Sequence, residues 1–339
     1  MKQSSRLARC VLTLAVVLGA AARLASAQSA PAAPPPAAAT AKPPNVIADV
    51  RALIAKGDFA GGEARLNAYR AERGVTPEAL EALSWLGRGA LAARQLDKAE
   101  NYALETYDLC LEALKTRRMD DEPRLPIAIG AAIEVRAHVH AQRGARADAV
   151  YLLQQELATY RATSIRARIQ KNINLLSLEG KAAPALDTAE FLGSVAPGAV
   201  AALKGKPVVL FFWAHWCPDC KAMSTVLEGL LTRYRDQGLT VVAPTQRYGY
   251  VARRAPAGPA EEMAYMAAVR DEVYPWLARE WVPVSEENIK NYGVSTTPTV
   301  VLIDRAGLVR LYHPGQMTLE QIEPHIKAIL ESKATIAAP

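Results

Sequence analysis

A chain of 339 residues, half of them apolar and with a formal charge of +6, is long enough for about two globular domains. Four of its cations, Lys2, Arg6, Arg9 and Arg23, fall in the first 27 residues, which hold no acid, so the remainder carries a balance of only +2. That balance gives no basis for a nucleic-acid or anionic-membrane partner, and four cysteines are too few for a disulfide-stapled scaffold.

Residues 1–27 carry the parts of a secretory signal: a basic start, an apolar run from Cys10 to Ala20, and Ala25-Ser26-Ala27 ahead of Gln28. The run is too short to cross ~30 Å of hydrocarbon. The expectation is export to the periplasm or another extracytoplasmic space and cleavage near Ala27, with no membrane span in the mature chain. Cys10 leaves with the leader, and Cys110, Cys217 and Cys220 remain. Cys110 sits between Leu109 and Leu111 and is expected as a buried, inert thiol. Residues 28–45, rich in Ala and Pro, read as a linker.

From 46 to 180 the pattern is amphipathic helix with little strand signal. Lys56-Gly57-Asp58-Phe59, Arg94-Gln95-Leu96 and Arg143-Gly144-Ala145 each introduce small and apolar residues at matching spacings. The segment resembles a tetratricopeptide-like solenoid of three helix pairs, capped by a helix over Ile165–Leu178. Such a solenoid offers a concave face to a partner peptide, or serves only to pack on its neighbour. His138 and His140 are two residues apart, so a helix points them in different directions; they are expected as surface histidines and not as metal ligands.

Gly180-Lys181-Ala182-Ala183-Pro184 breaks the helical pattern and marks a boundary, so a second domain is expected over 184–335. Its centre is the apolar run Pro207–Trp213 followed by Ala214-His215-Trp216-Cys217-Pro218-Asp219-Cys220 and then helical spacing through Leu231. A cysteine at a helix N-terminus meets free backbone N–H groups and the positive end of the dipole, which favour thiolate below the ordinary pKa of ~8.5. With a second cysteine one turn on, Cys217 attacks and Cys220 resolves.

Trp-Ala-x-Trp-Cys-x-x-Cys-Lys resembles the active site of the thioredoxin superfamily, and residues 203–333 are most similar to its exported TlpA/ResA-like branch. The resemblance implies an α/β thioredoxin-like domain behind the all-α solenoid. Its implied work is thiol–disulfide exchange with protein disulfide or dithiol substrates, as a reductant resupplied by a separate electron-donor protein. No cofactor beyond the Cys217–Cys220 disulfide and no metal is implied.

Residues 245–281, carrying Tyr248, Tyr250, Arg253, Arg254 and a helix from Ala260 to about Tyr274, form an insertion relative to that family. It is expected beside Cys217, because strands 207–213 and 239–243 run parallel and end at one sheet edge. There it either shapes a docking surface or loops into solvent. Ser285 is expected to cap a short helix. Tyr292-Gly293-Val294 and Thr296-Thr297-Pro298-Thr299 resemble the superfamily's cis-proline loop, followed by strands over Val300–Asp304 and Leu308–Tyr312. By resemblance, Thr297 and Pro298 face the cysteines and bind the substrate chain together with Trp216 and Pro218, which flank an exposed Cys217 sulfur. Trp213 is expected in the core and His215 in solvent.

Three positions depart from the family. Phe211 stands where thioredoxin has a buried Asp, Thr225 where a proline is usual, and Met223 where some ResA-like proteins carry an acid. Asp219 is then the nearest candidate to take the resolving thiol's proton. Two alternatives remain: a peroxiredoxin-like peroxidase, whose activating Pro and Thr/Ser positions are here Leu210 and Ala214, and a non-enzymatic adaptor with a vestigial redox domain.

Overall fold

The structure, a computed structural model, describes residues 45–194, 196–197 and 203–332. The expected leader, its cleavage site and nearly all of the linker lie outside the described residues.

Seven helices come first: α1 (Val46–Ala55), α2 (Phe59–Arg73), α3 (Pro77–Ala92), α4 (Leu96–Leu114), α5 (Arg124–Gln142), α6 (Arg146–Thr159) and α7 (Arg166–Ser177). Side-chain oxygens open three of them: Asn45 accepts from Ala48 N–H, Asp58 from Gly61 N–H and Thr76 from Ala79 N–H. One turn recurs within each of the first three pairs. Gly57, Arg94 and Gly144 are left-handed, with φ of 77°, 57° and 88°. The next N–H reaches back to the carbonyl five residues earlier, Asp58 to Leu53, Gln95 to Ala90 and Ala145 to His140. Arg94 takes this conformation without being glycine, at a cost of ~1–2 kcal/mol.

The apolar faces of these helices merge. Leu83 and Leu86 of α3 pack with Val50 of α1 and Val135 of α5, and Leu80 packs with Ile129 and Ile133 of α5 and Leu153 of α6. Each such side chain contributes ~1.5–3 kcal/mol over its exposed state. Cys110 is fully buried in the second group, and burial pushes its thiol up to about 12.

Helix α7 is held to α5 by charge. Burial alone would raise the Glu134 carboxyl, but Arg168 and Lys171 outweigh it and hold the group at about 2. Glu134 accepts from Arg168 Nε (3.0 Å), Lys171 Nζ (3.1 Å) and Asn172 Nδ2 (3.2 Å). His138 is not a surface histidine. Its Nε2 lies 2.9 Å from Asn172 Oδ1 and the ring is half-buried, because α7 covers that side of α5.

The second part is a four-stranded sheet in the order β2-β1-β3-β4, built from β1 (Val208–Phe212), β2 (Thr240–Val242), β3 (Thr299–Ile303) and β4 (Val309–Pro314). Strand β1 runs parallel to β2 (Leu210 opposite Val242) and antiparallel to β3 (Leu210 opposite Val301), and β3 and β4 are antiparallel. The remaining helices are α8 (Pro218–Tyr234), α9 (Pro259–Val273), α10 (Glu286–Asn291) and α11 (Leu319–Glu331). Because successive strand residues face opposite ways, Val209, Phe211 and Trp213 enter a core with Leu227, Leu231, Met266 and Ile326 from α8, α9 and α11. Val208, Leu210 and Phe212 enter another with Ile289, Tyr292 and Tyr312.

The fourth strand ends two residues beyond the expected Tyr312, since Val300 and Thr299 still find partners in His313 and Pro314. Ser285 occupies the N-cap position of α10 as expected, but its side chain makes no capping bond and its hydroxyl donates instead to Asp187 Oδ2 at 2.8 Å.

The boundary segment is stitched to the sheet edge. Gly180 N–H donates to Val309 O, Val309 N–H to Lys181 O, and Ala183 N–H to Gly307 O. Helix α7 also meets α10 and the loop after it. Asn174 Nδ2 donates to Tyr292 O (2.9 Å), and Tyr312 Oη donates to the same carbonyl (2.8 Å). At Gly293 (φ 62°) a Cβ would lie 2.3 Å from the Lys171 backbone nitrogen. Glycine is required there twice, by conformation and by the backbone of α7. Gly307→Ala, left-handed but with open space around it, should cost on the order of 1 kcal/mol in a urea melt. Gly293→Ala should cost several times more, and equal costs would show that α7 does not press on this loop.

Candidate active site

The site lies where β1 ends and α8 begins. Cys217 is the N-cap of α8, Pro218 fills the first helical position, where its missing N–H is not needed, and Asp219 lies exposed in the first turn. Cys217 and Cys220 are joined as a disulfide with Cα atoms 5.3 Å apart. The Cys220 backbone N–H donates to Cys217 Sγ at 3.1 Å, so the helix N-terminus is aimed at the sulfur on which thiolate charge would rest once the bond is reduced.

Across from it, the Thr297–Pro298 peptide is cis, and the Thr297 carbonyl oxygen lies 3.4 Å from Cys217 Sγ. Pro298 is buried and Thr297 half-buried. Behind this loop, Gly315 N–H donates to Pro298 O and Thr299 Oγ1 to Thr296 O. The Cys217 sulfur is not exposed: the residue is 2% accessible, because the Thr297 carbonyl lies over it, and Cys220 is wholly buried. Trp216 is the open edge of the site, 46% exposed.

Trp213 is core. Its Nε1 donates to Ala243 O (3.1 Å) and its carbonyl accepts from Thr245 Oγ1 (2.8 Å), which fixes the end of β1 to the end of β2. Phe211 and Met223 are buried in the same apolar cluster as Cys220. Tyr274 packs on Trp213 and Phe211 at centroid distances of 5.0 and 6.2 Å, and its buried hydroxyl has no hydrogen-bond partner among the described residues.

His215 is placed oppositely to the expectation of solvent. It is 1% exposed and enclosed edge-on by Tyr248, Tyr250 and Tyr265 at 5.3–5.5 Å. The 245–281 insertion is not a solvated excursion either. It folds back over the start of α8, and Tyr248 also meets Trp216 edge-on at 5.5 Å. Its anchor is Glu262 on α9, itself 1% exposed, which accepts from the backbone N–H groups of Tyr248 and Gly249. Glu262 Oε1 is 3.4 Å from His215 Nε2, without hydrogen-bond alignment. Burial pushes the imidazole's pKa below its ordinary value, and the Glu262 charge only partly offsets this. The sequence carries no local signal for this group, since Glu262 and His215 come together only through the insertion's fold.

Residues 199–330 match the family model of a thioredoxin-like domain. The thiol-disulfide oxidoreductase ResA of Bacillus thuringiensis subsp. konkukian (strain 97-27) is 31% identical over 128 residues, 37% of this chain and 65% of that protein. The thioredoxin-like protein YneN of Bacillus subtilis (strain 168) is 30% identical over 121 residues, 35% of this chain and 63% of its own length. The chain thus spans slightly less than two thirds of these relatives. Among solved structures, a candidate thiol:disulfide interchange protein DsbE from Chlorobium tepidum aligns over 45% of this chain and 97% of its own, with 26% identity and a TM-score of 0.36. The α/β part of the chain is thioredoxin-like, and the helical region α1–α7 precedes it.

The buried His215 makes a pH prediction. The unfolded chain takes up a proton near pH ~6.5, the folded one only at lower pH. The stability contributed by this site is therefore complete above ~6.5 and drains as pH falls toward the folded value. His215→Gln should lose less stability than the parent between pH 7.5 and 5 in urea melts. Identical losses would show that the ring is not buried neutral.

Proposed function

We propose that this chain is an exported thiol–disulfide oxidoreductase acting on protein disulfides, as a reductant. The observation that carries the reading is Cys217 at the N-terminus of α8, receiving the Cys220 N–H, with Cys220 one turn on and Thr297 against its sulfur. The named activity of the similar ResA supports the same reading. Export rests on the leader pattern in the sequence.

In the reduced protein, the Cys217 thiolate attacks one sulfur of a substrate disulfide. A Cys217–substrate bond forms, the substrate S–S bond breaks, and one substrate thiolate leaves. The Cys220 thiolate then attacks Cys217 Sγ, closing the 217–220 disulfide and releasing the second substrate thiolate. Two electrons pass to the substrate, and a dithiol donor protein returns them. The cysteine pair is the only redox group the cycle requires.

Thr297 is the edge along which the substrate backbone pairs, with Trp216, Pro218 and Pro298 around it. Because that carbonyl covers the sulfur, the substrate chain takes its place beside Cys217 as attack proceeds. Asp219 is the nearest acid to the resolving thiol in sequence and accepts its proton from the exposed first turn. Its charge also opposes the neighbouring thiolate.

Cys220→Ala should accumulate mixed disulfides with client proteins in the exporting cell, and Cys217→Ala should trap none. Equal trapping by both would reverse the roles. Asp219→Asn should lower the pKa of the Cys217 thiol in a thiolate-absorbance titration of the reduced protein, and a rise would remove Asp219 from this account.

A further inference from the structure

The insertion builds a second recognition element beside the disulfide. Between its hairpin and the start of α8 lies an open cavity of about 340 Å³, within the ~300–1,000 Å³ of ligand-sized pockets. Trp216, His215, Tyr250 and Tyr265 form its aromatic side, and Lys221, Arg253 and Arg254 its charged side. Among the described residues that line it there is no carboxylate. Lys221, Arg253 and Arg254 are exposed and form no ion pair among the described residues, whereas the nearby Arg247 is taken up by Glu190.

The hairpin is held, not loose. Val251 N–H donates to Ala255 O, Ala257 N–H to Gly249 O, and Tyr250 bridges Pro256. Its tip places two consecutive arginines in the left-handed region, with φ of 56° and 60°. A residue with a side chain persists in that region only where its surroundings hold it. Glu262 beneath already accepts two backbone N–H groups and is buried away from solvent. The cavity therefore presents three unneutralised cations and aromatic faces to whatever binds there.

We propose that this cavity selects protein substrates that carry an acidic side chain near the disulfide cysteine, by seating the carboxylate between Lys221, Arg253 and Arg254. This deepens the proposed thiol–disulfide exchange and rests on it. Trp216 lines the cavity and immediately precedes Cys217, and an extended chain advances ~3.3 Å per residue. An acid within a few residues of the attacked cysteine thus reaches the cations while its backbone lies along Thr297. A basic neighbour meets repulsion at the same distance.

The test uses the reduced full chain and three disulfide substrates: a peptide with glutamates around a cysteine joined to 2-mercaptoethanol as a mixed disulfide, its lysine counterpart, and the neutral symmetric bis(2-hydroxyethyl) disulfide. At low salt the glutamate peptide should exceed the lysine peptide in kcat/KM by about tenfold or more, and the ratio should fall as salt screens charges beyond ~10 Å. Arg253→Gly with Arg254→Gly should bring the ratio close to one, and lysine at both positions should restore it. Exchange with all three substrates at a wild-type ratio near one overturns the acidic preference and leaves the oxidoreductase reading standing. A cysteine-free glutamate peptide, titrated calorimetrically, separates the remaining case. Binding lost in the double glycine variant, without turnover of any disulfide, supports the cavity and removes the proposed activity. Neither binding nor turnover overturns both.

Discussion

The site depends on one close approach: a helix N-terminus aimed at Cys217 Sγ from one side and the Thr297 carbonyl against it from the other. Neither group is mobile on its own account. The helix start is fixed because β1 is buried on both faces and Trp213 ties its end to β2 through Ala243 and Thr245. The Thr297 side is fixed because Pro298 and Thr299 are held into the top of the β3–β4 pair. A sulfur so placed meets the positive end of a helix dipole, which stabilises its anion by a charge effect of ~0.3–1 kcal/mol at exposed sites and up to ~2 when partly buried. The apolar wall made by Phe211 and Met223 means that no acid from the strand or the helix interior opposes that charge.

The helical region bears on the same loop. Glu134 holds Arg168 and Lys171 on one face of α7, and the backbone of α7 at Gln170 and Lys171 presses on Gly293. Asn174 and Tyr312 share the Tyr292 carbonyl just before it. A chain of packed and charged contacts thus runs from α5 through α7 to the segment that leads into Thr297 and Pro298. The contacts are backbone-close, so the loop cannot shift at Gly293 without moving α7. With residues 180–183 hydrogen-bonded at the edge of β4, α7 packs against the α/β part and backs the segment that leads into the cis-proline loop.

The insertion closes the opposite side. Its fold rests on Glu262, a buried carboxylate whose cost of desolvation is offset by two backbone N–H groups. Around that anchor three tyrosines enclose His215, whose pKa burial lowers more than the nearby negative charge raises it. The arginines at the hairpin tip form no ion pair among the described residues, so Lys221, Arg253 and Arg254 make this rim basic.

Local chemistry wrote much of this in the sequence. A continuous apolar run and helical spacing gave the two structural classes, and Gly180 to Pro184 gave the break between them. The recurring Gly57, Arg94 and Gly144 turns marked the repeated hairpins, and Cys-Pro-Asp-Cys at a strand–helix junction announced the chemistry. Each is a property of a few adjacent residues, and backbone geometry dictates the outcome. Only the tertiary structure decided that Cys217 is covered, that His215 is buried, that Ser285 turns to Asp187, and that α7 demands glycine at position 293. These outcomes depend on which side chain a distant segment delivers: Thr297 to Cys217, Glu262 to His215, Lys171 to Gly293. Such pairings are fixed by the summed packing of the whole core, and no stretch of neighbouring residues contains them.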